Sequence, residues 1–500
     1  MDWRKNRFRP EKFVYLGYGF IRISNISCFQ SATLFSSASN SLELINYFFL
    51  FSIAASVVAH FAFAVLSVRR SELVYGLVPP LAIAAFMSAG LCLVSVNSLL
   101  GSASLPVLAF GAIVHGVSWA WLDVLWVGLY GSMPPHDSSV CIIESFLASF
   151  VLWFILLSVA GYTALGLLLN LVLIGLSGLM LGRGLQMTAK QRASLIKARL
   201  SKQSREAIAK ALRQPLIAMS AFALAYSFLD RICSTDLPYF TTVHVISIAA
   251  CTIGALCLLM YVGFGRRKAD VQFIARIVFP LLVVGCILFP AFGGFAGMFS
   301  TVLVAVGFMI FDIVMVAYVS ELAYEQSVNG AAVEGIVRGV IWLFCGIGGA
   351  LGYYAAQSSL GFVVAAVIAA ALVYLVIGGF MALANQKAVK AFEDGESADK
   401  LPKSEEVDND DWRLSISEDD SPEEEACDHN ADPRLTEAAR EFGLTARELD
   451  VLSYLVRGYT LANIAPKLFL SEHTVRTHVR HIYEKMGVHS RQELLEALGY

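Results

Sequence analysis

Two groups of residues in this sequence could do chemistry. The first is a set of ionisable side chains inside long apolar stretches: Arg22, His60, His115, Asp123, Glu144, Asp230, Arg231, Asp312, Glu321, Glu334 and Arg338. Charge in hydrocarbon is expensive, so such groups either hold a ligand or hold one another. The second lies near the C-terminus, in "LSEHTVRTHVRHIYEKMG", Leu470 to Gly487. At a helical period, Val475, Val479, Ile482 and Met486 share one face, with His478 beside them. His473, Arg476, Thr477, Arg480 and Glu484 share the other. Arg476 and Arg480 are four apart and project from one surface, and a guanidinium suits phosphate oxygens and guanine edges.

The elements that must position the first group are read from composition. The chain is 57% hydrophobic and 15% charged, with a mean hydropathy of +0.65; that lies outside the range of ordinary soluble domains. A membrane helix needs about 20 apolar residues. Spans are expected at 13–35, 44–68, 72–97, 104–130, 138–160 and 162–182, then at 214–233, 238–262, 271–292, 297–321, 335–357 and 361–384. The break at 183–213 carries nine Lys or Arg against the single acid Glu206. If all twelve spans cross, the basic N-terminal tail (1–12), Arg69–Arg70, this central loop, "GRRK" at 265–268 and Lys387/Lys390 fall on one side. The positive-inside rule then predicts a multi-pass inner-membrane protein with both termini cytoplasmic.

The two halves echo each other. "WLDVLWVGLYG" (121–131) in the fourth span resembles "IFDIVMVAYVS" (310–320) in the tenth, and Glu144 and Glu334 open the fifth and eleventh. This six-plus-six layout with a basic central loop resembles the major facilitator superfamily, which implies two six-helix halves with a site at their interface. The Gly/Asp/Arg-rich turn of that family after the second span is replaced here by "SVRRSELV", which argues against active transport. Arg22, His115, Asp123 and Asp312 are the candidate pocket residues. His115 and Asp123, eight apart, are expected to face one cavity that takes a cationic or polar small molecule; internal ion pairing that holds the bundle together is the competing reading.

Beyond the bundle (13–384), residues 385–433 are strongly acidic with few apolar positions, the signature of an extended, disordered linker. Residues 434–500 are punctuated as four short helices. Thr445 and Glu448 form a capping box, as do Ser490 and Glu493. A short helix over 461–469, a tight turn and the basic-faced helix from Ser471 to Met486 make a helix-turn-helix arrangement.

"LTARELDVL", "GYTLANIA", "SEHTVRTHV" and "KMGVHSR" follow in order between Leu444 and Arg491. Their order and spacing closely resemble the LuxR-family DNA-binding domain. The resemblance implies a recognition helix in the major groove of double-stranded promoter DNA, with contacts from Ser471, Thr474, Arg476, Thr477, Arg480, His481 and Lys485. It also implies a last helix in which Leu494, Leu495 and Leu498 pair with a second copy, so that a dimer reads an inverted repeat. His478 matches the family's histidine and reads as structural. Asn463, where the family has Glu, and Pro466 inside the scaffold helix depart from the pattern.

The expected fold class is therefore all-α: a twelve-helix membrane bundle plus a four-helix LuxR-type domain. The expected function is a membrane-embedded transcription regulator that senses a small-molecule effector, with RNA polymerase a possible partner. The alternative is a transporter with a regulatory DNA-binding tail. No P-loop, H-E-x-x-H or nucleophile motif stands out, so no enzyme activity is expected. The nine cysteines show no metal-ligand spacing, so no metal or cofactor is expected.

Overall fold

The computed structural model describes residues 10–29, 35, 41–99, 104–159, 162–190, 202–233, 237–265, 284–285, 295–357, 433–456, 459, 464, 468, 472–488, 493–494 and 497–498. The expected spans at 271–292 and 361–384 therefore lie almost wholly outside the described residues, as does the acidic linker. The chain divides into two compact units, 1–402 and 403–500.

The first unit is a helix bundle. A 3-10 turn, Pro10–Leu16, leads into α1 (Gly17–Phe29). Then come α2 (Ser41–Arg69), α3 (Ser71–Tyr75), α4 (Pro80–Leu99), α5 (Leu105–Tyr130), α6 (Pro135–Ser158) and α7 (Thr163–Met187). The second half contributes α8 (Lys202–Cys233), α9 (Leu237–Gly265), α10 (Phe295–Glu325) and α11 (Gly330–Gln357). Eight of these helices are long and apolar enough to cross a membrane, and α4 holds a shorter apolar stretch, Pro80–Val96. The first expected span begins as a 3-10 turn followed by α1, which carries Arg22 and Asn25 within it. Large apolar side chains such as Val58, Phe86, Phe110, Ile253 and Tyr354 point outward, which suits a lipid-facing surface.

Helix packing follows the six-plus-six reading. The second span of the first half (α2) packs on the fifth of the second half (α11); the fifth of the first (α6) packs on the second of the second (α9). Within each half, a glycine lets the first and fifth spans touch backbone to backbone. A Cβ on Gly19 of α1 would lie 2.2 Å from the Ser145 carbonyl oxygen of α6. One on Gly348 of α11 would lie 2.2 Å from the Leu224 carbonyl oxygen of α8. Small residues permit such close approach, which is what drives helix association in lipid.

The second unit holds α12 (Pro433–Glu441), α13 (Ala446–Val456) and α14 (Glu472–Met486) around its own core. The helix α12 is an addition to the four expected ones. Among its described side chains only Leu435 and Ala438 are buried, so its apolar period is thin. The helix expected at 461–469, with Asn463 and Pro466, lies mostly outside the described residues, though Ile464 and Leu468 are buried in this core. Gly443 (φ +62°) follows α12 and Gly487 (φ +67°) follows α14, left-handed positions where glycine carries no Cβ penalty.

Gly348→Ala should destabilise the bundle by about 1–3 kcal/mol, since the added methyl forces two helices apart. Thermal unfolding in detergent checks this. Gly175→Ala, inside α7 with nothing within 4 Å of the added Cβ, should leave the midpoint the same or slightly higher, since Ala favours helix over Gly.

Candidate nucleic-acid interface and buried charge network

In the second unit, the Thr445 backbone N–H donates to Glu448 Oε2 at 2.8 Å and the Thr445 hydroxyl donates to the same oxygen at 3.0 Å. The Glu448 N–H returns a bond to Thr445 Oγ1 at 3.3 Å. This is the reciprocal capping box that the sequence predicts. Glu448 also receives Lys485 Nζ at 2.7 Å, and Lys485 donates to the Gly443 carbonyl oxygen at 3.0 Å. His481 Nδ1 stands 3.8 Å from Glu448 Oε1. Glu448 therefore ties α14 to the start of α13. Burial of its carboxyl opposes ionisation, but the Lys485 ammonium and the two Thr445 donors outweigh that and hold it below the ordinary glutamate range.

The helix α14 buries Val475, Ile482 and Met486, with Val479 packed at the margin. His478 is half-buried at the edge of this face. On the opposite side Arg480 is exposed, with its Nε 3.7 Å from Glu484 Oε1. The backbone carries Thr474, Arg476 and Thr477 on the same helix, but their side chains, and all of Ser471, lie outside the described residues. Lys485 and His481 turn toward Glu448, so they hold the helix rather than extend from it. Leu494 and Leu498 are buried in this domain's own core, and the Leu495 side chain is outside the described residues. Any second copy would have to meet other side chains of that segment.

Residues 443–497 match the family of bacterial regulatory proteins of the luxR type. This stretch is a LuxR-family regulatory domain. Its relatives include the HTH-type transcriptional regulators MalT of Yersinia pestis (strain Pestoides F) and of Serratia proteamaculans (strain 568). Each is 39% identical over 75 residues, covering 14% of this chain and 8% of the relative. The chain thus spans only a small part of the curated relatives it matches.

In the membrane unit, three of the four candidate pocket residues come together. Arg22 Nη2 donates to Asp312 Oδ2 at 2.7 Å, linking α1 to α10. Arg338 of α11 binds the other Asp312 oxygen through Nη1 and donates from Nε to Glu334 Oε1 at 2.6 Å. The same Nε is 3.6 Å from Asp123 Oδ2 of α5. Asp123 also accepts from the Tyr18 hydroxyl at 2.8 Å and meets His60 Nε2 at 3.2 Å. The Arg22 guanidinium lies 4.0 Å from the Phe146 ring centroid. All of these charged groups are buried. The contacts are those of the ion-pairing reading: Asp123 and Asp312 each meet cationic or donor groups of the same chain.

His115 stands apart. Its Nδ1 lies 3.0 Å from Ser52 Oγ, and its ring packs on Phe48 and Phe29. Eight residues along a helix is two turns plus about 80°, so His115 and Asp123 face different neighbours. Tyr18 and the pairing of Glu334 with Arg338 escaped the sequence reading. The i,i+4 spacing of the latter pair was a usable signal; nothing in the sequence marks Tyr18.

The bundle resembles solved transport proteins. A bacterial homologue of the iron transporter ferroportin, in its outward-facing state, superposes with a TM-score of 0.52 at 14% identity, covering 76% of this chain and 100% of that one. The human organic anion transporter MFSD10 (TETRAN) gives 0.50 at 12% identity, covering 75% and 100%. The membrane unit thus shares the fold of these transport proteins.

Two outcomes follow. Arg338→Met leaves Asp312, Glu334 and Asp123 short of their shared cation, and should cost about 3–5 kcal/mol, read by thermal unfolding of the purified protein. Glu448→Gln should cost the C-terminal unit about 1–3 kcal/mol at neutral pH. The folded chain binds the Glu448 proton less tightly than the unfolded chain does. Its contribution is therefore complete above the ordinary glutamate value of 4.5 and is lost as pH falls through the lower folded value. Denaturant unfolding should show the variant with a flatter acid limb than the parent.

Proposed function

We propose that this protein is a membrane-embedded transcription regulator. Its C-terminal domain binds promoter DNA, and its bundle senses a small molecule whose differential affinity for two bundle states is transmitted along the chain. The observation that carries this reading is covalent: a LuxR-family domain and a transporter-like bundle share one polypeptide. The basic central loop and tail support a topology with both termini in the cytoplasm of a bacterial inner membrane, where DNA is reachable.

Ser471, Thr474, Arg476, Thr477 and Arg480 form the DNA-reading surface in this account, and Lys485 and His481 hold that helix through Glu448. The domain pairs with a second copy to read an inverted repeat, and its outer surface is available to RNA polymerase. A transporter with a regulatory tail is the second reading, favoured by the bundle's likeness to transport proteins. Substrate flux in proteoliposomes that survives removal of residues 385–500 would select it.

The test is gel-shift binding of fragment 403–500, the second compact unit, to its own upstream DNA. Arg480→Ala should weaken selective binding by about 1–3 kcal/mol, and Arg476→Ala by a similar amount. Equal affinity of parent and both variants for promoter and unrelated DNA would refute the assignment.

A further inference from the structure

A groove of about 500 Å³ opens on the side of the membrane unit, between the start of α4 and the end of α7. The two helices touch at Gly178 of α7. A Cβ there would lie 2.8 Å from that of Ala84 and 3.1 Å from the Pro80 carbonyl oxygen. One turn further along α7 they part: a Cβ on Gly182 would meet nothing within 4 Å, although Gly182 lines the groove. Leu81 and Leu179 line it as well, and both are exposed. Exposed apolar side chains on membrane helices suit contact with acyl chains.

Polarity changes along this groove. Leu179 and Arg183 are four apart on α7, as are Gly182 and Gln186, so each pair shares a face. The lining is apolar at Leu81 and Leu179 and polar one turn later, at Arg183 and Gln186. The apolar stretch of α4 begins at Pro80 and that of α7 ends at Met187. The groove therefore lies where hydrocarbon gives way to headgroups. Apolar contact followed by a cation is the order in which a phospholipid presents its chain and its phosphate. Among the described residues, Arg183 is the one charged side chain of the lining; it is exposed and makes no ion pair. Its surroundings have the same sign. Arg69 and Arg70 precede α3, whose Tyr75 lines the groove, and Lys190 follows the lining residue Ala189; all three cations are exposed. Glu72, the acid of α3, is exposed but outside the lining. A zwitterionic headgroup would bring its own cation to these cations, whereas an anionic one meets only attraction. Basic clefts between membrane helices on the cytoplasmic side are where anionic headgroups bind.

We propose that this groove holds one anionic phospholipid of the cytoplasmic leaflet, its phosphate on Arg183 and Gln186 and an acyl chain along Leu179, Leu81 and the open side of Gly182. A guanidinium suits phosphate oxygens, and the space left at Gly182 takes the chain. The leaflet follows from the topology proposed above; the binding itself does not depend on the regulator reading. The site is separate from the buried charge cluster, since Asp123, Asp312, Glu334 and Arg338 are not in its lining. A soluble anion would use Arg183 alone, whereas a lipid also fills the apolar part.

The experiment uses the full-length protein in a neutral detergent. Thermal unfolding is followed against added phosphatidylglycerol, phosphatidylcholine or inorganic phosphate. Phosphatidylglycerol should raise the midpoint saturably, and the other two should not. Arg183→Gln should weaken the apparent Kd for phosphatidylglycerol by about 5-fold. Arg213 is an exposed cation of α8 outside the groove, so Arg213→Gln should leave that Kd unchanged. Gly182→Leu places a side chain in the open space and should abolish the saturable shift. An equal shift with phosphatidylcholine or with inorganic phosphate would overturn the proposal. So would no saturable shift with phosphatidylglycerol, an equal loss in Arg183→Gln and Arg213→Gln, or a full response in Gly182→Leu. Should Gly182→Leu fail to fold, the two arginine variants, both at exposed positions, still decide the matter.

Discussion

Everything in the membrane unit depends on one constraint: charges buried away from water must be answered by other charges from the same chain. Arg338 answers three at once. It binds Asp312 and Glu334 and stands within ion-pair distance of Asp123, while Arg22 takes the remaining oxygen of Asp312. These contacts join α1 and α5 of the first half to α10 and α11 of the second. Three carboxyls, two guanidinium groups and one imidazole meet there, so the cluster is neutral only when it holds one extra proton. Removing either guanidinium leaves a buried carboxylate unmatched, which costs far more than the net worth of the pair. The halves are therefore held in register by electrostatics, while the glycine contacts at Gly19 and Gly348 close each half on itself.

The C-terminal domain uses the same logic at smaller scale. Glu448 caps α13, and through Lys485 it fixes the far end of α14. The exposed guanidinium of Arg480 is left on the opposite face, away from the core built on Val475, Ile482 and Met486. One carboxylate thus aligns the helix that we propose reads DNA. In the bundle, the carboxyls of Asp123, Asp312 and Glu334 are likewise engaged by partners from the same chain.

Much of this was legible in the sequence where a local period or a strict spacing carried it. The capping box at Thr445 and Glu448 and the inward face of α14 follow from helical geometry alone. The matching of Asp123 with Asp312 follows from the internal echo between the halves. What was not legible depends on which neighbour a side chain meets. His115 was grouped with Asp123 by spacing, yet its ring belongs with Ser52 and Phe48. Leu494 and Leu498 had the look of a dimer seam and are part of the domain's own core. Tyr18 is an ordinary tyrosine until Asp123 is placed 2.8 Å away.

The central claim is that a membrane-embedded chain reads DNA. It is tested most directly by cross-linking the full-length protein to chromosomal DNA in cells and sequencing what co-purifies with the membrane fraction. The account predicts a small number of discrete promoter sites that carry an inverted repeat and vanish in the Arg476→Ala, Arg480→Ala double variant at equal protein level. Recovery of the same DNA from parent and double variant, with no site enriched, would contradict it.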